Sequence, residues 1–176
     1  MDSQVLFDLR AGRFLEPDKW ELENELDSLV LRFPEIVSRL LSDGDQATPL
    51  AGQVKGREFG PQLLRIDALF LLSHENQAPS LAIWENKRKG NVHPRELVGQ
   101  VIDYASALAA LPSEAFRAEL ARRVDTDAWK ALMAEFAERT GATQPDPVEV
   151  VNLAVEAHEN GRYLLVICAE RLPDAV

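Results

Sequence analysis

The chain has 176 residues, of which 46% are hydrophobic and 27% charged. That composition belongs to a globular protein and excludes a disordered one. A net charge of −10 argues against tight, indiscriminate nucleic-acid binding, which depends on neutralising phosphates, but leaves room for a basic groove on an acidic body. No apolar run approaches the ~18 residues of a membrane span, and MDSQVLFDLR has no signal-peptide pattern, so no membrane contact and a cytoplasmic location are expected. The single cysteine, Cys168, rules out an internal disulfide, and three scattered histidines make a Cys/His metal site a poor expectation.

In chain order, residues 1–16 show no clear period and read as a short strand or arm. Asp18 can cap a helix whose stripe is Leu22, Leu26, Leu29, Val30 and Phe33. Pro34 breaks it, and Ile36, Val37, Leu40 and Leu41 form a second short helix. Residues 42–60, rich in Gly, Asp and Pro, read as a loop with a short strand near 54–59. Two strands, 63–72 and 81–87, form a hairpin with SHENQAPS as a connection of moderate length. His93-Pro94 opens a helix with Leu97, Val98, Val101, Ile102, Ala105 and Leu108 on one face.

A further helix or helix pair spans about 113–139 and stops at Gly141. Residues 148–157 and 161–170 read as two strands joined by a turn at HENG. The expected architecture is one α/β domain over 1–176, with a central mixed β-sheet flanked by helices. Its core is expected at about 18–110 and 147–171. The helical insertion at about 111–141 would either shape substrate access or form a homodimer contact. The chain stops soon after its last strand, which fits a fragment of a longer protein.

Charges placed inside an apolar strand pair carry the chemical information. Asp67 interrupts the first strand, while Glu85 and Lys87 lie two apart at the end of the second and share a face. If the strands are neighbours, the three groups converge. Two carboxylates meeting in a sheet are costly, and a bound cation or a catalytic role accounts for them best. The bland alternative pairs Asp67 with Arg65 or Lys87 and lets Glu85 reach solvent at the strand end. Trp84 alternates with Glu85 and belongs to the core. Trp20 and Trp129 read as helix packing residues, His74 and His158 as loop residues, His93 as a helix-entry residue and Cys168 as a buried, inert thiol.

The segments RIDALFLL, LAIWENKR and, on the next helix, QVIDY together resemble the PD-(D/E)xK nuclease superfamily. The resemblance runs from Leu22 to about Ser106, with GRYLLVIC as the final core strand. It implies a restriction-endonuclease-like core: an initial helix carrying an acid, a three-stranded antiparallel unit, a helix and a further strand. It also implies Mg²⁺-dependent hydrolysis of phosphodiester bonds in DNA, with Mn²⁺ as a substitute cation. By that resemblance Asp67 and Glu85 are the metal ligands and Lys87 is the motif's lysine. Gln100 and Tyr104 match a Q-x-x-x-Y signature found in some branches. Ile66 stands where the motif's proline would be, a departure shared by many branches.

Glu23 and Glu25 border the apolar stripe of the first helix on its two sides, and either could supply the third acid. Glu23 is preferred because the pattern starting there resembles the first-helix motif of archaeal junction-resolving members of the superfamily. The residue types suit the chemistry independently. Mg²⁺ prefers oxygen ligands, and one or two carboxylates with substrate phosphate suffice. A lysine nearby can stabilise developing charge or take part in proton transfer. Residues 85–95 hold four basic side chains, Lys87, Arg88, Lys89 and Arg95, against one acid, a local charge of +3 suited to a phosphate backbone. Gln100 and Tyr104, four apart on a helix, share a face and could contact substrate or the catalytic strand. The alternative function is a catalytically inactive module of the same fold that binds nucleic acid or a protein partner.

Overall fold

The computed structural model describes residues 6–8, 13–15, 29–41, 46–52, 66–74, 77–87 and 94–169. Two short strands, β1 (Leu6–Asp8) and β2 (Arg13–Leu15), pair antiparallel near the start of the chain. Residues 29–32 are helical, and α1 (Pro34–Leu41) follows after the expected break at Pro34. Its ring has no N–H to lose and its φ suits a first helical position. Most of the expected first helix, including Glu23 and Glu25, lies outside the described residues.

The main sheet has four strands in the order β3-β4-β5-β6: β3 (Gln46–Gly52), β4 (Ala68–His74), β5 (Gln77–Lys87) and β6 (Tyr163–Ala169). β4 runs antiparallel to both β3 and β5, and β6 lies parallel to β5. The stretch 42–60, expected to be a loop, therefore contains a strand at 46–52; the expected strand at 54–59 lies outside the described residues. Pro49 within β3 masked that strand, and the register shifts between Pro49 and Ala51. A proline has no ladder donor and is placed where pairing is irregular or open. The β4–β5 connection is tighter than expected, because β4 continues to His74 and β5 begins at Gln77. Ile66 and Asp67, expected within the strand, precede it.

Four helices follow: α2 (Pro94–Ala109), α3 (Ser113–Val124), α4 (Asp127–Thr140) and α5 (Pro147–Glu159). α5 corrects the reading of 148–157 as a strand. Valine-rich composition favoured a strand. The spacing decides otherwise, since Val150, Val151, Ala154, Val155, Ala157 and His158 are buried while Val148 is exposed. That is a helical face. The Asp146 carboxylate accepts from the Val148 amide at 3.1 Å and Pro147 occupies the first turn. His158 accordingly lies in a helix, and His74 at a strand end, rather than in loops. Gly141 ends α4 as expected, in the left-handed region at φ 72°.

The sheet is buried on both faces, which is why β4 and β5 read as nearly continuous apolar runs. One face carries Leu69, Leu71, Leu81 and Ile83 and is covered by α2, α3, α4 and α5. Phe116, Leu120, Trp129, Met133 and Phe136, from the helical insertion at 111–141, belong to this core. The other face carries Ala68, Phe70, Leu72, Ala82 and Trp84 and packs on Val30, Leu31 and Val37. Among the described residues, no helix is long and apolar enough to cross a membrane.

Candidate functional site

The last paired residues of β4 and β5 are Ala68 and Trp84. One step further along each chain segment come Asp67 and Glu85, and the Asp67 carboxylate accepts from the amide of Asn86, the residue after Glu85. Both acids therefore lie at the same end of the sheet. On the other side, Glu85, Asn86 and Lys87 continue the parallel register with Ile167, Cys168 and Ala169 of β6. Glu85 thus lies in the middle of the sheet's end, with a strand beyond it.

Glu85 has no solvent exposure, against the alternative in which it reaches water at a fraying strand end. Its strand parity places it on the face of Leu81 and Ile83, while Trp84 and Asn86 take the opposite face. Trp84 is 1% exposed and sits in the core as expected, edge-on to Phe70. Asp67 is half-buried, and its Oδ2 accepts a hydrogen bond from the Asn86 amide at 2.8 Å. In a continued ladder, a main-chain carbonyl would fill that place. The carboxylate does so instead, because the chain bends at Asp67.

On the opposite face, the Trp84 indole N–H donates to Asn86 Oδ1 at 2.7 Å. Sequence reasoning missed Asn86. The signal was present: an amide side chain alternating onto the Trp84 face, two residues from an indole that needs an acceptor once buried. Cys168, paired in register with Asn86, is half-buried, and burial pushes its thiol pKa up. The expected burial is thus partial, and the raised pKa disfavours the nucleophilic thiolate.

α2 packs against β5 and β6 and holds Gln100 and Tyr104 four residues apart. Gln100 Nε2 donates to Tyr104 Oη at 2.5 Å, so the two share a face as expected. Tyr104 also packs against the core of the helical face. Lys87 is the last residue of β5, and Arg95 lies in the first turn of α2. Arg88, Lys89 and His93 lie outside the described residues.

The acids at this end of the sheet are Asp67, half-buried, and Glu85, fully buried. Among the described residues, no group of three or more His, Cys, Asp or Glu side chains is arranged to hold a metal. Asp67 and Glu85 are a pair, and the candidate third acids, Glu23 and Glu25, fall outside the described residues. Two carboxylates are within the ordinary complement for Mg²⁺, which keeps several of its waters. Comparison of the chain with protein-family models, with curated proteins and with solved structures returns no match.

Proposed function

We propose that the chain is a metal-dependent nuclease that hydrolyses phosphodiester bonds in DNA. The observation that carries the proposal is the placement of the fully buried Glu85 at the same end of the sheet as Asp67, whose carboxylate bonds the Asn86 amide, with Lys87 two residues after Glu85. Burying a carboxylate is expensive, and such cost is characteristic of sites that bind or react. The antiparallel β3-β4-β5 unit, the helix α2 and the parallel β6 agree in order and sense with a restriction-endonuclease-like core. The basic stretch from Lys87 to Arg95 supplies charge for the phosphate backbone on an otherwise acidic chain.

In this mechanism Asp67 and Glu85 hold Mg²⁺ or Mn²⁺. When bound, the cation supplies Lewis-acid polarisation of the phosphoryl oxygen and lowers the pKa of water. Asp67 is oriented for that task by the Asn86 amide. Lys87 either stabilises charge developing on the phosphoryl oxygens or positions the attacking water, at no reorganisation cost in a prearranged site. Gln100 and Tyr104 contact substrate or support β5 from α2.

The decisive measurement is cleavage of supercoiled, linear duplex and single-stranded DNA with Mg²⁺, Mn²⁺ or EDTA. Divalent-dependent cleavage by the wild type, abolished by EDTA and by Glu85→Gln, is expected. DNA binding without cleavage under every metal condition would refute the proposal and favour the inactive module.

A further inference from the structure

Asp67 lies in a bend and Glu85 within the last residues of β5, both just past the point where the β4–β5 ladder stops at Ala68 and Trp84. On the β4 side, the amide of Asn86 meets the Asp67 carboxylate at 2.8 Å. On the far face of the sheet the same residue is gripped by its side chain, whose Oδ1 accepts from the Trp84 indole at 2.7 Å. Asn86 is 0% and Trp84 1% exposed, so water does not compete for this bond. A buried hydrogen bond in a low-dielectric core is stronger and more directional than one at the surface. One residue therefore connects the packed core below the sheet to both acids above it. It touches Asp67 through its amide, and Glu85 and Lys87 are its chain neighbours.

We infer that Asn86 is the positioning residue of the site. Its side chain, clamped by the Trp84 indole, fixes the last three residues of β5. The amide at 86 thereby holds Asp67, and Glu85 and Lys87 keep their spacing. The effect on metal affinity rests on the nuclease reading; the clamp itself does not.

The test uses Asn86→Leu, close to asparagine in size, and the double variant Trp84→Phe/Asn86→Leu in the full chain. Three quantities are read: the urea midpoint, amide hydrogen exchange at position 86 relative to Ile83, and Mn²⁺ affinity from the paramagnetic signal of free Mn²⁺. The single variant strands the indole N–H and lowers stability. The double variant removes the stranded indole N–H, so it recovers the part of the loss that came from that group. Mn²⁺ affinity is nonetheless expected to stay about 10-fold weaker than wild type, the usual consequence of losing a group that orients a ligand. Exchange at position 86 is expected to stay roughly tenfold faster, a local opening without global unfolding.

Recovery of affinity and protection along with stability in the double variant would overturn the inference and reduce Asn86 to a satisfied core pair. Absence of Mn²⁺ binding by the wild type would refute the nuclease reading instead. Exchange then decides the clamp alone, and unchanged protection at position 86 in both variants would overturn it.

Discussion

His158 joins four parts of the helical face, and its replacement by alanine is expected to be among the costliest single changes in the described core. The ring is 6% exposed and stacks on Phe116 of α3 with centroids 4.3 Å apart. Nε2 lies 2.9 Å from the Leu111 carbonyl, in the α2–α3 connection, and Nδ1 lies 2.7 Å from the Tyr163 hydroxyl on β6. A carbonyl only accepts, so Nε2 carries a proton, and in the neutral ring Nδ1 accepts from the Tyr163 hydroxyl. His158→Ala strands a carbonyl and a phenol at about 1 kcal/mol or more each. It forfeits roughly 0.5–1.5 kcal/mol of ring stacking and leaves a cavity besides. The sum is about 3–4 kcal/mol, which in a chain of this length lowers Tm by roughly 10 °C. Urea denaturation followed by circular dichroism measures it. A double-mutant cycle with Tyr163→Phe should return a coupling of about 1 kcal/mol. A loss below about 1 kcal/mol for His158→Ala, or no coupling to Tyr163, would refute the described hydrogen-bond pair.

The same phenol makes an alkaline prediction. Burial pushes the Tyr163 pKa up to about 12, while the unfolded chain releases this proton near ~10. Stability is therefore complete below pH ~10 and falls as pH rises towards and through the folded value. Urea midpoints at pH 9 and 11.5 should differ by less in Tyr163→Phe than in wild type. Gly141→Ala should cost about 1 kcal/mol in a urea titration, because φ is 72° and nothing lies within 4 Å of an added Cβ, leaving backbone strain as the whole penalty. Gly99→Ala, within α2 and with equally open surroundings, should instead stabilise by roughly 0.5–1 kcal/mol. Under the proposed function, Lys87→Ala should reduce single-turnover DNA cleavage by ~10²–10³ while Mn²⁺ affinity stays unchanged, because an ammonium is not a ligand. Equal cleavage by wild type and variant would remove Lys87 from the chemistry.

Regularities within a few residues were legible in the sequence. Pro34 at a helix break, Pro94 at a helix start and Gly141 at a helix stop each follow from the backbone chemistry of one residue. The apolar runs around Phe70 and Ile83 announced strands buried on both faces, and the alternation of Trp84 with Glu85 put them on opposite sides. Asp67 and Glu85, singled out by their spacing, both lie just past the Ala68–Trp84 end of the β4–β5 ladder.

Tertiary structure decided what local pattern left ambiguous. Valine's strand preference pointed the wrong way for 147–159, where the Asp146 cap and packing against Phe116 favour a helix. Pro49 concealed a strand that exists because β4 needs a partner on its free side. Asp67's bond to the Asn86 amide, Trp84's grip on Asn86 and the contacts of His158 join residues through ladders and turns rather than through sequence spacing. Whether a polar side chain is buried with a partner depends on what the rest of the chain brings to it. Sequence determined which residue types stand at each position; the sheet register and packing on its two faces decided which face and which end of the sheet they occupy.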